Sequence, residues 1–182
     1  NFGCGVFTRM GYSLEALQAV NPDIVLVSMP PSGNGGPEGK YVGYGVAIEQ
    51  LGGIVARTGY LGDYAPMKTG INYGDPIAGM HTASYIMTAM LHRRKTGRGQ
   101  YIDLSQVEAA IHFLEPLMLD YTVNGKVPGG SGHGSARSCP HGVYQCAGLE
   151  RHIAIAVETE AQWRALKSVA PLDAFRSGEF DS

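Results

Sequence analysis

Ile24-Val25-Leu26-Val27 restricts the fold of this chain more than any other stretch. It is an unbroken run of β-branched and leucine residues with no polar alternation, as expected of a short strand buried on both faces in a parallel sheet. Just before it, Leu14, Leu17 and Val20 recur at helical spacing behind Ser13, a hydroxyl that can cap a helix, and Asn21-Pro22-Asp23 ends the helix. A helix leading into such a strand is the αβ half of a doubly wound sheet. The expected fold is therefore α/β: part of a doubly wound, Rossmann-like parallel-sheet domain, followed by part of a smaller α+β domain.

The rest of the chain fits that plan. Met29 to Lys40 holds three prolines and four glycines, a loop at the carboxyl end of the strand, where ligand crevices sit in open α/β sheets. Gly43 to Leu51 is expected to be helical and closed by Gly52-Gly53, and Arg57 to Asn72 to be a loop. Ile77 to Arg94 has the clearest helical pattern, with Thr96-Gly97 as its stop. Tyr101 to Leu104 reads as a strand. Ser105-Gln106-Val107-Glu108 is a capping box opening a long helix through Tyr121 that Pro116 would kink. Val143 to Cys146 and His152 to Val157 read as antiparallel strands around a Gly148 turn, and Thr159 to Gln162 caps a further helix. The domain boundaries expected are 1–126 for the larger domain, a glycine-rich linker over 127–138, and the start of the smaller domain over 139–182.

Composition narrows the function classes. Apolar residues at 44% and charged residues at 16%, without long charge blocks, point to a globular rather than a disordered chain. A net charge of −2 argues against nucleic acid or an anionic membrane as the main partner, so an anionic ligand must be met by local groups. No uninterrupted apolar run is long enough to span a bilayer. Three cysteines, Cys4, Cys139 and Cys146, make no disulfide framework and fit a reducing compartment, so a cytoplasmic setting is expected.

The chemistry concentrates at Gly74-Asp75-Pro76-Ile77-Ala78-Gly79-Met80-His81. Asp favours the N-cap and Pro the first turn of a helix, so Asp75 is expected at the N-cap, where free N–H groups and the helix dipole favour an ionised carboxylate. Gly74 and Gly79 remove side chains on either side, leaving room for a substrate carbonyl. Helix capping alone would also account for both Asp75 and Pro76. Cys139, His141 and Cys146 lack a fourth ligand at zinc-like spacing, so no metal is expected. Gly33-Asn34-Gly35-Gly36 lacks phosphate-loop spacing and reads as an ordinary loop. The basic run Arg93-Arg94-Lys95 suits the C-terminal end of a helix.

Asp75 to His81, followed by His92-Arg93-Arg94-Lys95-Thr96-Gly97-Arg98-Gly99-Gln100-Tyr101-Ile102-Asp103-Leu104-Ser105, resembles the signature of the family III CoA-transferases, the CaiB/BaiF family. That family includes formyl-CoA transferase, carnitine CoA-transferase and the 2-methylacyl-CoA racemases. Asn1-Phe2 with Arg9-Met10-Gly11, Asn21-Pro22-Asp23-Ile24-Val25, Leu51-Gly52-Gly53 and Pro140-His141-Gly142-Val143-Tyr144 extend the likeness along nearly the whole chain. Members are about twice this length, so the chain is expected to be an internal piece of such an enzyme. The resemblance implies an interlocked homodimer acting on an acyl-CoA and a carboxylic acid, with coenzyme A as part of the substrate.

By the same resemblance, Asp75 matches the catalytic aspartate. Its carboxylate would form an aspartyl-acyl anhydride and then an aspartyl-CoA thioester, covalent catalysis that divides one slow exchange into several easier steps. Asn1, Phe2, Arg9 and Met10 match positions lining the CoA site; an arginine can pair with phosphate, and Phe or Met can pack on the adenine or pantetheine. Gly129 to Gly134 falls near a glycine loop of formyl-CoA transferase but is interrupted by Ser131 and His133, and a flexible linker accounts for it equally well. Racemases of the family pair the aspartate with a histidine about thirty residues upstream. Tyr44 stands in that place here, which favours transfer over racemisation. A non-catalytic remnant of the family remains the other alternative.

Overall fold

The computed structural model describes residues 2–60, 65–127 and 129–169. They divide into two compact units. One comprises the described residues up to Thr58 together with Pro66–Gly129; the other comprises Gly59, Tyr60, Ala65 and the described residues from Gly130 onward.

The first unit is α/β, in the order α1 (Val6–Arg9), α2 (Leu14–Val20), β1 (Val25–Ser28), α3 (Gly45–Leu51), a 3-10 turn (Val55–Arg57), α4 (Gly74–Thr96), β2 (Gln100–Asp103), α5 (Gln106–His112) and α6 (Glu115–Asn124). Ser13 does cap α2, its hydroxyl accepting from Ala16 N–H at 3.2 Å. β1 and β2 pair in parallel, with Val25 opposite Gln100 and Ser28 opposite Asp103. Their close approach requires Gly99, because a Cβ there would overlap the Ile24 carbonyl oxygen. Arg93, in the last turn of α4, donates to Asp23 at 2.6 Å, and this guanidinium holds the Asp23 carboxyl below its ordinary pKa.

Helices α3, α4 and α5 meet around Ile48, Ile54, Ile77, Ala78, Leu104, Ala109 and Ala110. Ile48 and Ile77 are 1% and 4% exposed, and burial of such side chains stabilises by about 1.5–3 kcal/mol each. Small residues set the spacing: a Cβ on Gly52 would stand 3.0 Å from that of Ala110.

One helix assignment needs correction. The long kinked helix expected from Gln106 through Tyr121 is two helices, interrupted at Phe113-Leu114. Pro116 lies in the first turn of α6. There its missing N–H falls among groups that have no intrahelical partner, so proline starts a new helix at lower cost than it would bend an old one. Elsewhere the signals act as written: Ser105 Oγ accepts from Glu108 N–H at 3.2 Å to begin α5, and Gly97, at φ 71°, ends α4.

The second unit holds an antiparallel pair, β3 (His141–Gln145) and β4 (His152–Ala156), with His141 opposite Ala156 and Gln145 opposite His152. Gly148 takes φ 104° in the connection between them. Helix α7 (Glu160–Val169) follows. Its capping box is reciprocal: Gln162 N–H donates to Thr159 Oγ1 at 3.2 Å, and Gln162 Oε1 accepts from Thr159 N–H at 3.1 Å and from Glu158 N–H at 2.7 Å. Among the described residues, no helix is long and apolar enough to cross a membrane.

Candidate active site

Asp75 is exposed and lies in the first turn of α4, as its second residue rather than at the N-cap. The N-cap is Tyr73, and no side chain within that turn caps the helix. The expected capping role is filled from elsewhere. Glu49 of α3 is fully buried, and its Oε1 accepts from the Tyr73 N–H. In a capping box the third helical residue reaches back to the N-cap N–H; here a glutamate from a neighbouring helix makes that bond. Asp75 is left to present its carboxylate at the positive end of the 23-residue helix α4.

The position of Asp75 depends on two glycines. A Cβ on Gly45 would collide with Asp75 Oδ2 and with Asn72, and a Cβ on Gly74 would press into Ile48. Gly79, expected to clear space beside the carboxylate, has no atom of the described residues within 4 Å of its missing side chain, so its contribution is open surface one turn along. Tyr44, in the place of the racemase histidine, is the N-cap of α3 and 83% exposed.

A separate cavity of about 560 Å³ opens between the N-terminal turn and β1. Phe2, Phe7, Tyr12, Leu26, Ser28, Asn34 and Tyr101 are among its walls. Three of its rings form a ladder: Phe2 stacks on Phe7 at 6.1 Å, and Phe7 on Tyr12 at 5.1 Å. Of the residues matched to CoA binding, Phe2 lines the cavity. Arg9 and Met10 are exposed at the end of α1 and do not line it. Arg9 Nη1 nevertheless lies 3.1 Å from where a Gly5 Cβ would be, so its guanidinium folds back over Gly5, a residue of the cavity wall. Asn1 lies outside the described residues.

Asn34, in a loop whose sequence lacks phosphate-loop spacing, is a hub of hydrogen bonds. The two N–H groups of its Nδ2 are shared among Ser28 Oγ at 2.7 Å, Tyr101 Oη at 2.9 Å and Asp103 Oδ1 at 2.9 Å, and its backbone N–H donates to the Asp103 carboxylate at 3.0 Å. These bonds pin the glycine-rich loop over the carboxyl ends of β1 and β2. Neighbouring Gly33, at φ 76°, supplies a turn that side chains resist. The pattern carried one usable signal: an Asn between glycines, just after a strand, suits a turn that hydrogen-bonds its own surroundings.

The first unit thus holds both a helix that begins in Gly-Asp-Pro and, apart from it, a ligand-sized crevice beside β1. The profile of CoA-transferase family III matches residues 1–180. The chain belongs to this family. It is 26% identical over 179 residues to the succinate–glutarate CoA-transferase of Agrobacterium fabrum, a match covering 98% of this chain and 44% of that protein. It is 32% identical over 120 residues to the formyl-CoA:oxalate CoA-transferase of Streptomyces avermitilis, covering 66% of this chain and 29% of the relative. Among solved structures, a CaiB/BaiF family protein from Brucella suis is similar with a TM-score of 0.85 and 28% identity, covering 93% of this chain and 44% of that one. The family III chain thus spans less than half the length of these relatives.

Proposed function

We propose that this chain carries the nucleophile of a CoA-transferase, Asp75, and that the enzyme moves CoA from an acyl-CoA to a carboxylic acid. The observation that supports this most directly is an exposed carboxylate in the first turn of α4, held against a residue without a side chain, in a chain of family III. A carboxylate so placed is reachable by a bulky thioester.

The steps balance without an outside reactant. Asp75 attacks the thioester carbon, the C–S bond breaks, and CoA leaves as thiolate. The thiolate then attacks the Asp75 carbonyl of the mixed anhydride, giving the aspartyl-CoA thioester and releasing the donor acid. The acceptor carboxylate attacks that thioester, expelling CoA thiolate again. A last attack by the thiolate on the acceptor's carbonyl yields the new acyl-CoA and restores the Asp75 carboxylate. Each thioester carbon is opened by an oxygen already in place, so the exchange becomes a series of intramolecular events.

The cavity beside Phe2, Phe7 and Tyr12 is the proposed seat of part of the CoA moiety, with Arg9 at its rim for a phosphate. The named activities of the relatives, on succinyl, glutaryl, formyl and oxalyl groups, support short carboxylic acids as the substrate class. A cytoplasmic setting belongs to the same proposal, supported by a sequence whose three cysteines are too few and too unevenly placed for a disulfide framework.

Hydroxylamine trapping tests the central claim. With acyl-CoA present, the intact protein should acquire a hydroxamate at Asp75, and Asp75→Asn should lose the adduct and more than about a thousandfold of turnover. Turnover by the wild type with residue 75 never modified would reject the reading.

The homodimer is proposed on separate grounds. Met80, Met87 and Leu91 on α4, Phe113 at the end of α5 and Leu119 on α6 are each more than half exposed, an apolar surface unusual for a chain acting alone. Sedimentation of the intact protein should give twice the monomer mass at micromolar concentration, and a single monomeric species would refute the dimer.

A further inference from the structure

We propose that Glu49 is a positioning residue for Asp75, holding the turn before α4 so that the nucleophile is set over Gly45. The inference rests on the reading of Asp75 as nucleophile and deepens it.

Gly45, Ile48 and Glu49 fall at i, i+3 and i+4 of α3, and so share one face of that helix. Each meets the turn that leads into α4. Gly45 lies against Asn72 and Asp75, Ile48 against Gly74, and Glu49 bonds the Tyr73 N–H. Every residue from Asn72 to Asp75 is thus registered against α3.

Two of these contacts are steric and could be made by a turn that slides. The bond from Tyr73 to Glu49 is directional, and it fixes the turn along the α3 axis. Glu49 is an expensive residue for the task. Its side chain is wholly buried, and its Oε2 has no hydrogen-bond partner among the described residues. A buried carboxylate with one oxygen unpaired is disfavoured where packing alone is needed, since an apolar side chain of that size would fill the site at lower cost. The group that its other oxygen holds is the N-cap amide of the helix carrying Asp75, two residues before the nucleophile. Displacing a reacting group by an ångström can cost on the order of a hundredfold in rate.

Two nearly isosteric variants of the intact protein separate positioning from charge and from bulk. Glu49→Gln keeps an oxygen acceptor at the same reach without the charge. Glu49→Asp keeps the charge and withdraws the acceptor by one methylene. The measurements are the rate of adduct formation at Asp75 at saturating acyl-CoA, the KM for acyl-CoA, and deuterium exchange of the Tyr73 amide. Glu49→Gln is expected to stay within about threefold of wild type in all three. Glu49→Asp is expected to lose about ten- to a hundredfold in adduct rate, with KM changed less than about threefold and the Tyr73 amide exchanging faster. The reverse order, equal losses in both variants, or wild-type rates in both would overturn the proposal. Should either variant unfold, exchange at Tyr73 in the other still decides: a protected amide in Glu49→Asp, or an unprotected one in Glu49→Gln, overturns it. If the wild type forms no adduct at residue 75, the nucleophile itself is misassigned, a result these variants do not mimic.

Discussion

The turn that presents Asp75 and the turn that carries Phe2, Phe7 and Tyr12 both lead the chain into helices of the same unit, yet they are held in different ways. Around Asp75 side chains lie directly on glycine backbone: Asp75 and Asn72 on Gly45, and Ile48 on Gly74, so that α3 and the entry to α4 approach until no added carbon would fit. Around the cavity the contacts are between rings, and those rings remain half in solvent, Phe2 at 55% and Tyr12 at 48% exposure. A reacting atom must be fixed to within a fraction of an ångström, which suits a glycine-packed seat on a long helix. A surface that grips a large flexible ligand gains from area and tolerates adjustment, which suits stacked rings.

The contrast is broken most sharply at Gly45. Gly45→Ala places a methyl group where Asp75 Oδ2 and Asn72 now lie, so the carboxylate must move or the two helices must part. The adduct rate at saturating acyl-CoA should fall by about a hundredfold. Stability should fall by about 1–3 kcal/mol, the usual cost of overpacking a tight interior. Stopped-flow measurement of adduct formation beside a urea melt reads both. Unchanged kinetics in a folded Gly45→Ala protein would mean that the seat of Asp75 is not what limits the chemistry.

How much of this was legible in the sequence follows the same division. Features governed by a few neighbouring residues could be read directly: the parallel strand at Val25–Ser28, the Ser13 and Ser105 caps, the Thr159 box and the Gly97 stop all form as their local chemistry dictates, although the strand is half-buried rather than buried on both faces. The motif around Asp75 is local too and does open a helix, but the N-cap is Tyr73 and not Asp75. That difference is instructive, because the competing group, Glu49, is 24 residues away from Tyr73 along the chain. Gly45 and Glu49 carry no local signal, because a glycine or a glutamate in a short helix is ordinary until the helix packed against it is known. Asn34 escaped for a related reason, since its partners Tyr101 and Asp103 lie 67 and 69 residues further on. At Pro116 the local signal was seen but misread, because proline in a helical pattern can either bend one helix or begin another.

The gentler prediction concerns the ring ladder and sharpens the comparison from the other side. Phe2→Ala and Tyr12→Ala each remove one wall of the cavity and one end of the stack. An aromatic pair contributes about 0.5–1.5 kcal/mol beyond its buried area, so calorimetric CoA affinity should weaken by about two- to tenfold. The rate of adduct formation at saturating acyl-CoA should stay at the wild-type value, because Asp75 is not among the residues that line the cavity. Unaltered affinity in both variants would remove the cavity as a CoA surface, and absence of CoA binding by the wild type would favour a family remnant over an enzyme. A fall in the saturated rate would carry a different lesson: the rings would then be placing the thioester against Asp75 as well as holding its carrier, and binding and chemistry would no longer be separable between the two regions.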